Sequence, residues 1–77
     1  MREYNFSSLV RPLHACTRTY VANRNGAYEV FVVQSEDVSP PDAIVSVSNN
    51  VYDAREAAAE VGSIIVAAQM MAGKHVR

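Results

Sequence analysis

Seventy-seven residues make one small domain, whose core holds only a few kcal/mol above the entropy of the chain. A single cysteine, Cys16, excludes an intramolecular disulfide, and Cys16 with His14 and His75 falls short of the four ligands, roughly, of a structural zinc. A formal net charge of −1, with the cations scattered over Arg2, Arg11, Arg18, Arg24, Arg55, Lys74 and Arg77, disfavours direct phosphate binding.

With those staples gone, a chain this short needs an unusually good core or a second copy of itself. Its hydrophobic fraction of 49% against 19% charged residues points to the second copy, because some apolar surface is left over. The N-terminal charges are not followed by an apolar run, so no signal peptide is read. The longest strongly apolar run, Ile64 to Ala68, is far too short to span a membrane. A cytoplasmic protein is expected, consistent with its lone thiol.

Residues 1–15 form an arm that packs on the domain or swaps into a partner. Tyr4 and Phe6 alternate with polar neighbours as in an edge strand, while Ser7 and Ser8 could equally cap a short turn that Pro12 would end. Residues 16–34 read as a β-hairpin. β-Branched and aromatic residues flank Asn25-Gly26, the strongest short hairpin signal. A two-residue turn pairs Val21 with Val30 and Tyr20 with Phe31; a three-residue loop with a bulge at Gly26 pairs Tyr20 with Val30. Either way the second strand is apolar on both faces, with Tyr28, Val30 and Val32 on one and Phe31 and Val33 on the other. Only one of these needs to meet the core.

Pro40-Pro41 breaks the chain, and residues 42–48 give a third strand. Regular alternation puts Ala43, Val45 and Val47 on one face and Ile44, Ser46 and Ser48 on the other. A helix over 54–72 follows. Asp53 and Glu56 would form its capping box, and Gly73 its left-handed stop ahead of Lys74, His75 and Arg77. Its core stripe is Ala54, Ala58, Val61, Ile65, Ala68 and Ala72, flanked by Ala57, Ile64 and Met71. A second flank of Ala59, Gly62 and Val66, continuing to Ala67 and Met70, is also apolar. The fold class is therefore α+β: a three-stranded antiparallel sheet (β-β-β-α) packed on one face by a long C-terminal helix.

No residue pattern carries catalysis. His14 and Cys16 lack a third orienting group, and read as a surface side chain and a packed one. Glu29 reads as a strand residue that faces water or pairs with Arg18 or Arg24. Tyr20, Tyr28 and Phe31 could stack bases, but the basic and glycine positions of sheet-based RNA readers are missing. No cofactor, metal or membrane is expected, and an enzyme would have to reveal Cys16 or Glu29 in a cleft with a shifted pKa.

Tyr20-Val21-Ala22 and Asn25-Gly26-Ala27-Tyr28-Glu29-Val30, followed by Asp53-Ala54-Arg55-Glu56-Ala57, resemble the hairpin and capped helix of HicB-type antitoxins. They are also similar to other small domains with a partial double-stranded-RNA-binding-like fold. Ser39-Pro40-Pro41 stands where that family carries a glycine-bearing segment. The resemblance implies a protein-binding module, often oligomeric, that uses its sheet or its helix; it does not imply repressor activity. The expected function is a small non-catalytic interaction or regulatory module that self-associates as a homodimer. Its expected interface comprises Phe31 and Val33 on the sheet and Ala59, Gly62, Val66, Ala67 and Met70 on the helix. The competing reading is a weak nucleic-acid-binding dimer that sums the arginines of two copies.

Overall fold

A computed structural model describes residues 3–75. Strands β1 (Arg18–Arg24), β2 (Ala27–Val33) and β3 (Asp42–Ser48) form one antiparallel sheet in the order β1-β2-β3. Helix α1 (Val51–His75) packs across it, and a 3-10 turn at Leu13–Ala15 precedes the sheet. The class is α+β, with one helix on one face of three strands.

The hairpin takes the two-residue turn. Asn25 and Gly26 have φ of 54° and 85°, the left-handed pair that matches strand twist, and Val21 then faces Val30 while Tyr20 faces Phe31. β3 departs from the regular alternation read in its sequence. Phe31 pairs with Ile44 but Val30 with Ser46, so Val45 is an inserted, bulged residue. Ala43 and Val45 both reach the core, but the extra residue resets the pleat beyond them. Val47 therefore leaves the core side, faces outward opposite Glu29, and is 60% exposed.

The helix begins earlier than its sequence suggests. Asn50, not Asp53, is the cap: its Oδ1 accepts the Asp53 amide at 2.9 Å, and its Nδ2 donates to Asp53 Oδ2 at 3.2 Å. Asp53 thus sits in the first turn, where its charge suits the dipole. The helix also runs through Gly73, which adopts no left-handed conformation, and reaches His75, the last described residue, past the expected end at residue 72. Arg77 and the side chains of Lys74 and His75, expected at the dipole's negative end, lie outside the described residues.

Buried Ala54, Ala57, Val61 and Ile65 of α1 meet Val30, Val32, Val45 and Cys16. Three strands are too narrow to cover more of the helix, so Ile64 and Met71, expected to flank the core, are exposed. The arm packs within its own chain: Tyr4, Phe6, Leu9 and Leu13 close the rim of the core, and the Asn5 amide donates to the Val45 carbonyl at 2.9 Å. It forms no edge strand, but a short turn does form over Ser7 and Ser8, with the Leu9 amide donating to the Phe6 carbonyl at 3.1 Å. Asn5 rather than a serine caps this turn: its Oδ1 accepts from the Ser7 amide and hydroxyl.

One polar side chain holds arm, sheet and loop together. Gln34 is 1% exposed, and its Oε1 accepts the Val10 amide at 2.7 Å and the Arg11 amide at 3.2 Å. Its Nε2 donates to the Pro40 carbonyl and its backbone amide to the Pro41 carbonyl, at 3.2 and 2.8 Å. The Ser39–Pro40 peptide in this loop is cis. Prolines have no amide with which to answer neighbouring carbonyls, so the donors come from Gln34. Truncation of this residue leaves three part-buried polar groups without it. Gln34→Ala should cost about 2–3 kcal/mol in urea denaturation, with faster amide exchange at Val10 and Arg11. Asn50→Ala, which loses only a cap, should cost about 1 kcal/mol.

Candidate functional site

The residues that sequence reasoning singled out fall on two surfaces. On the open face of the sheet, the pairings place Arg18, Tyr20 and Ala22 of β1 beside Val33, Phe31 and Glu29 of β2, with Asp42, Ile44 and Val47 beyond. Tyr20 and Phe31 stack at 5.0 Å with planes 8° apart, and the Arg18 guanidinium lies 5.5 Å from the Tyr20 ring centre. Tyr20 Oη donates to Asp42 Oδ2 at 2.6 Å. That hydrogen bond, with desolvation and the charge of Asp42, raises the Tyr20 pKa; Arg18 partly opposes it. Phe31 and Val33 are half-buried here, with no helix above them.

The second surface is on α1. Ala59, Gly62, Ser63, Val66, Ala67 and Met70 line a shallow apolar groove. Val66 is 54% and Met70 63% exposed. The helix face explains the exposure, since Ile65 beside Val66 is 3% exposed and Val66 and Met70 lie away from the face packed on the sheet; helix length adds to it near the end. Twenty-five residues span about 37 Å at 1.5 Å each, whereas a seven-residue strand spans about 23 Å. The last turns overhang the sheet. Gly62 lies at the β1 border of this groove: a Cβ there would sit 3.8 Å from Thr19 Oγ1, and the Thr19 hydroxyl donates to the neighbouring Ala58 carbonyl at 3.2 Å.

The polar candidates are not brought together. His14 is exposed on the 3-10 turn, whereas Cys16 is 1% exposed and its Sγ contacts the Pro12 carbonyl at 3.6 Å. Burial raises the Cys16 pKa, with Arg11 opposing weakly, so its thiol stays protonated and poorly nucleophilic. Glu29 lies in mid-sheet rather than in a cleft. Tyr28 is on the helix side of the sheet, apart from Tyr20 and Phe31, so the three aromatic residues form no single platform. Among the described residues, no group of three His, Cys, Asp or Glu side chains could hold a metal. No described helix is long and apolar enough to cross a membrane.

The arginines are dispersed in space as well as in sequence. Arg11 makes a forked pair with Asp37 at 2.6 and 2.5 Å, Arg18 lies on Tyr20, and Arg24 is at the hairpin end. The Ser35 hydroxyl and Arg11 lower the Asp37 pKa. Gln34, the buried hub, was missed by sequence reasoning; the one available signal was its place between an apolar strand and a donor-poor Pro-Pro loop. No protein-family model, curated protein or solved structure matches the chain.

The Cys16 thiol gives a pH test of the packing. Its folded pKa is raised, so above its ordinary value of 9.0 the unfolded chain loses this proton first and stability falls as pH rises toward the folded value. Chemical denaturation between pH 8 and 10 should show this decline in the native chain. Cys16→Ala should flatten it at the lower end of that range, before tyrosines begin to titrate.

Proposed function

We propose that this protein is a small non-catalytic interaction module that works as a homodimer, with the apolar groove of α1 in the self-contact. The supporting observation is that Val66 and Met70 remain more than half exposed on a continuous apolar stripe, in a chain with few buried residues. The open sheet face is a weaker candidate by itself, because Tyr20, Phe31, Arg18 and Asp42 already satisfy one another. The reading agrees with what the resemblance to HicB-type antitoxins implies, a protein-binding module that is often oligomeric. A reducing cytoplasm is the proposed compartment, where a single buried thiol needs no oxidised partner.

Magnitudes set the size of the contact. Full burial of a Val or Met side chain is worth about 1.5–3 kcal/mol. Covering the exposed halves of Val66 and Met70 on two copies therefore yields roughly 3–6 kcal/mol. Association itself costs an estimated 4–15 kcal/mol. The groove alone does not close a stable dimer, so the self-contact includes more of the surface.

Sedimentation at tens of micromolar should report a dimer, and a monomer there would refute the proposal. Val66→Glu should shift the equilibrium toward monomer while leaving the circular-dichroism spectrum unchanged, since Val66 contributes little to the core. A salt titration against generic RNA and DNA separates this reading from nucleic-acid binding, which would show affinity falling steeply with salt.

A further inference from the structure

We propose that β1 of one copy pairs antiparallel with β1 of a second copy about a two-fold axis beside Tyr20, giving a continuous six-stranded sheet with both helices on one side. The inference rests on the self-association proposed above and specifies its geometry. β1 has a strand neighbour on one edge only. Arg24 and Ala27 close a two-residue turn, so they form a narrow hydrogen-bonded pair. The alternation then directs Ala22, Tyr20 and Arg18 toward β2. At the start of the strand the Thr17 amide departs from this alternation, as at a bulge, and donates to the Val33 carbonyl opposite Arg18. Backbone groups of Thr19, Val21 and Asn23 consequently point out of the sheet. An edge strand with alternating donors and acceptors is complementary to its own antiparallel copy.

Charge selects the register. Centring the pair on Val21 sets Arg18 against Arg24 of the second copy, and like charges directly opposed are unfavourable. Centring it on Ala22 brings Glu29 of each copy toward the other across two alanines, because Glu29 is the β2 neighbour of Ala22. Centring it on Tyr20 avoids both. Arg18 then faces Ala22 of the second copy, and its long side chain, turning from the Tyr20 ring it lies over in the single chain, reaches over that small residue to the partner copy's Glu29. Glu29 has no ion-pair partner among the described residues. In the same register, Tyr20 faces Tyr20 of the second copy, and the Phe31–Tyr20 stack extends into a row of four rings across the joined sheet. Thr19 faces Val21 twice by symmetry, exchanging about four backbone hydrogen bonds.

The helix groove joins the same contact. At about 100° per residue, Gly62 and Val66 occupy the β1 side of α1, while Met70 and Ala67 point progressively away from the sheet. Gly62 already borders Thr19. Pairing at β1 therefore brings Gly62, Val66 and Ala59 toward their copies, and Gly62 and Ala59 are small enough for close helix approach. The strand edge and helix border together supply what the groove alone lacks. A stable interface needs about 800 Å² a side, more than six mostly small groove residues expose.

The test is disulfide trapping with sedimentation. Cβ atoms of a directly opposed, non-hydrogen-bonded pair lie about 4.5–5.5 Å apart, within reach of a disulfide after slight adjustment. Tyr20→Cys should oxidise to a covalent dimer, whereas the native chain, whose Cys16 is buried, and Ala22→Cys should do so at least tenfold more slowly. Independently, Arg18→Glu and Glu29→Arg should each weaken dimerisation by about tenfold, since each turns two attractions per dimer into repulsions; the double variant should recover most of the loss. A monomeric native chain refutes self-association and this geometry together. A native dimer in which Tyr20→Cys fails to cross-link and the charge reversal shows no rescue overturns the β1 pairing alone.

Discussion

β2 carries apolar side chains on both faces, and the described chain supplies one long helix to cover them. Val30 and Val32 disappear under Ala57, Val61 and Ile65, while Phe31 and Val33 on the reverse remain half-buried. The other features answer this imbalance. The arm brings Tyr4, Phe6, Leu9 and Leu13 to the rim of the covered side, because one Ala-rich helix is too slender to seal it. On the reverse side, Tyr20 lies flat on Phe31 and turns its hydroxyl to Asp42, reducing the apolar area in contact with water without removing it.

The elements were legible where local chemistry dictates backbone. Asn25-Gly26 marks the hairpin turn and alternation sorts the β2 side chains between two faces, but the register against β1 stayed open between a two-residue and a three-residue loop until the left-handed pair at Asn25 and Gly26 decided it. β3 was legible in extent but not in detail. Ala43-Ile44-Val45-Ser46-Val47 alternates without a break, and nothing local marks Val45 as the inserted residue; the bulge is set by its pairing with β2. At the helix start, Asn50 and Asp53 are both good caps. The earlier one prevails because Val51 and Tyr52, poor helix formers, are carried by the packed helix that follows. Gly73 was read as a stop because its propensity is local, yet the helix continues through it.

The candidate surfaces were legible as composition. An excess of apolar residues at Ala59, Gly62, Val66, Ala67 and Met70 could be seen from the helical period, and these positions are half-buried or exposed. The arrangement that ties the arm down was not legible. Beyond its place between an apolar strand and the Pro-Pro loop, Gln34 has no sequence context that distinguishes it from a surface glutamine, because its four hydrogen bonds go to Val10, Arg11, Pro40 and Pro41, which the fold alone brings near. Likewise, nothing local could place Tyr28 on the opposite side of the sheet from Tyr20 until the turn length was settled.

The bulge in β3 has a consequence for assembly. A sheet with two flat edges can add molecules at both ends and grow into a fibre. Here the far edge is irregular at Val45, whose carbonyl is already taken by the Asn5 amide of the arm. Strand joining at this margin is thereby disfavoured, whereas the β1 margin is regular over Thr19 to Asn23. The same irregularity that turns Val47 outward thus makes this edge a poor template for a further strand.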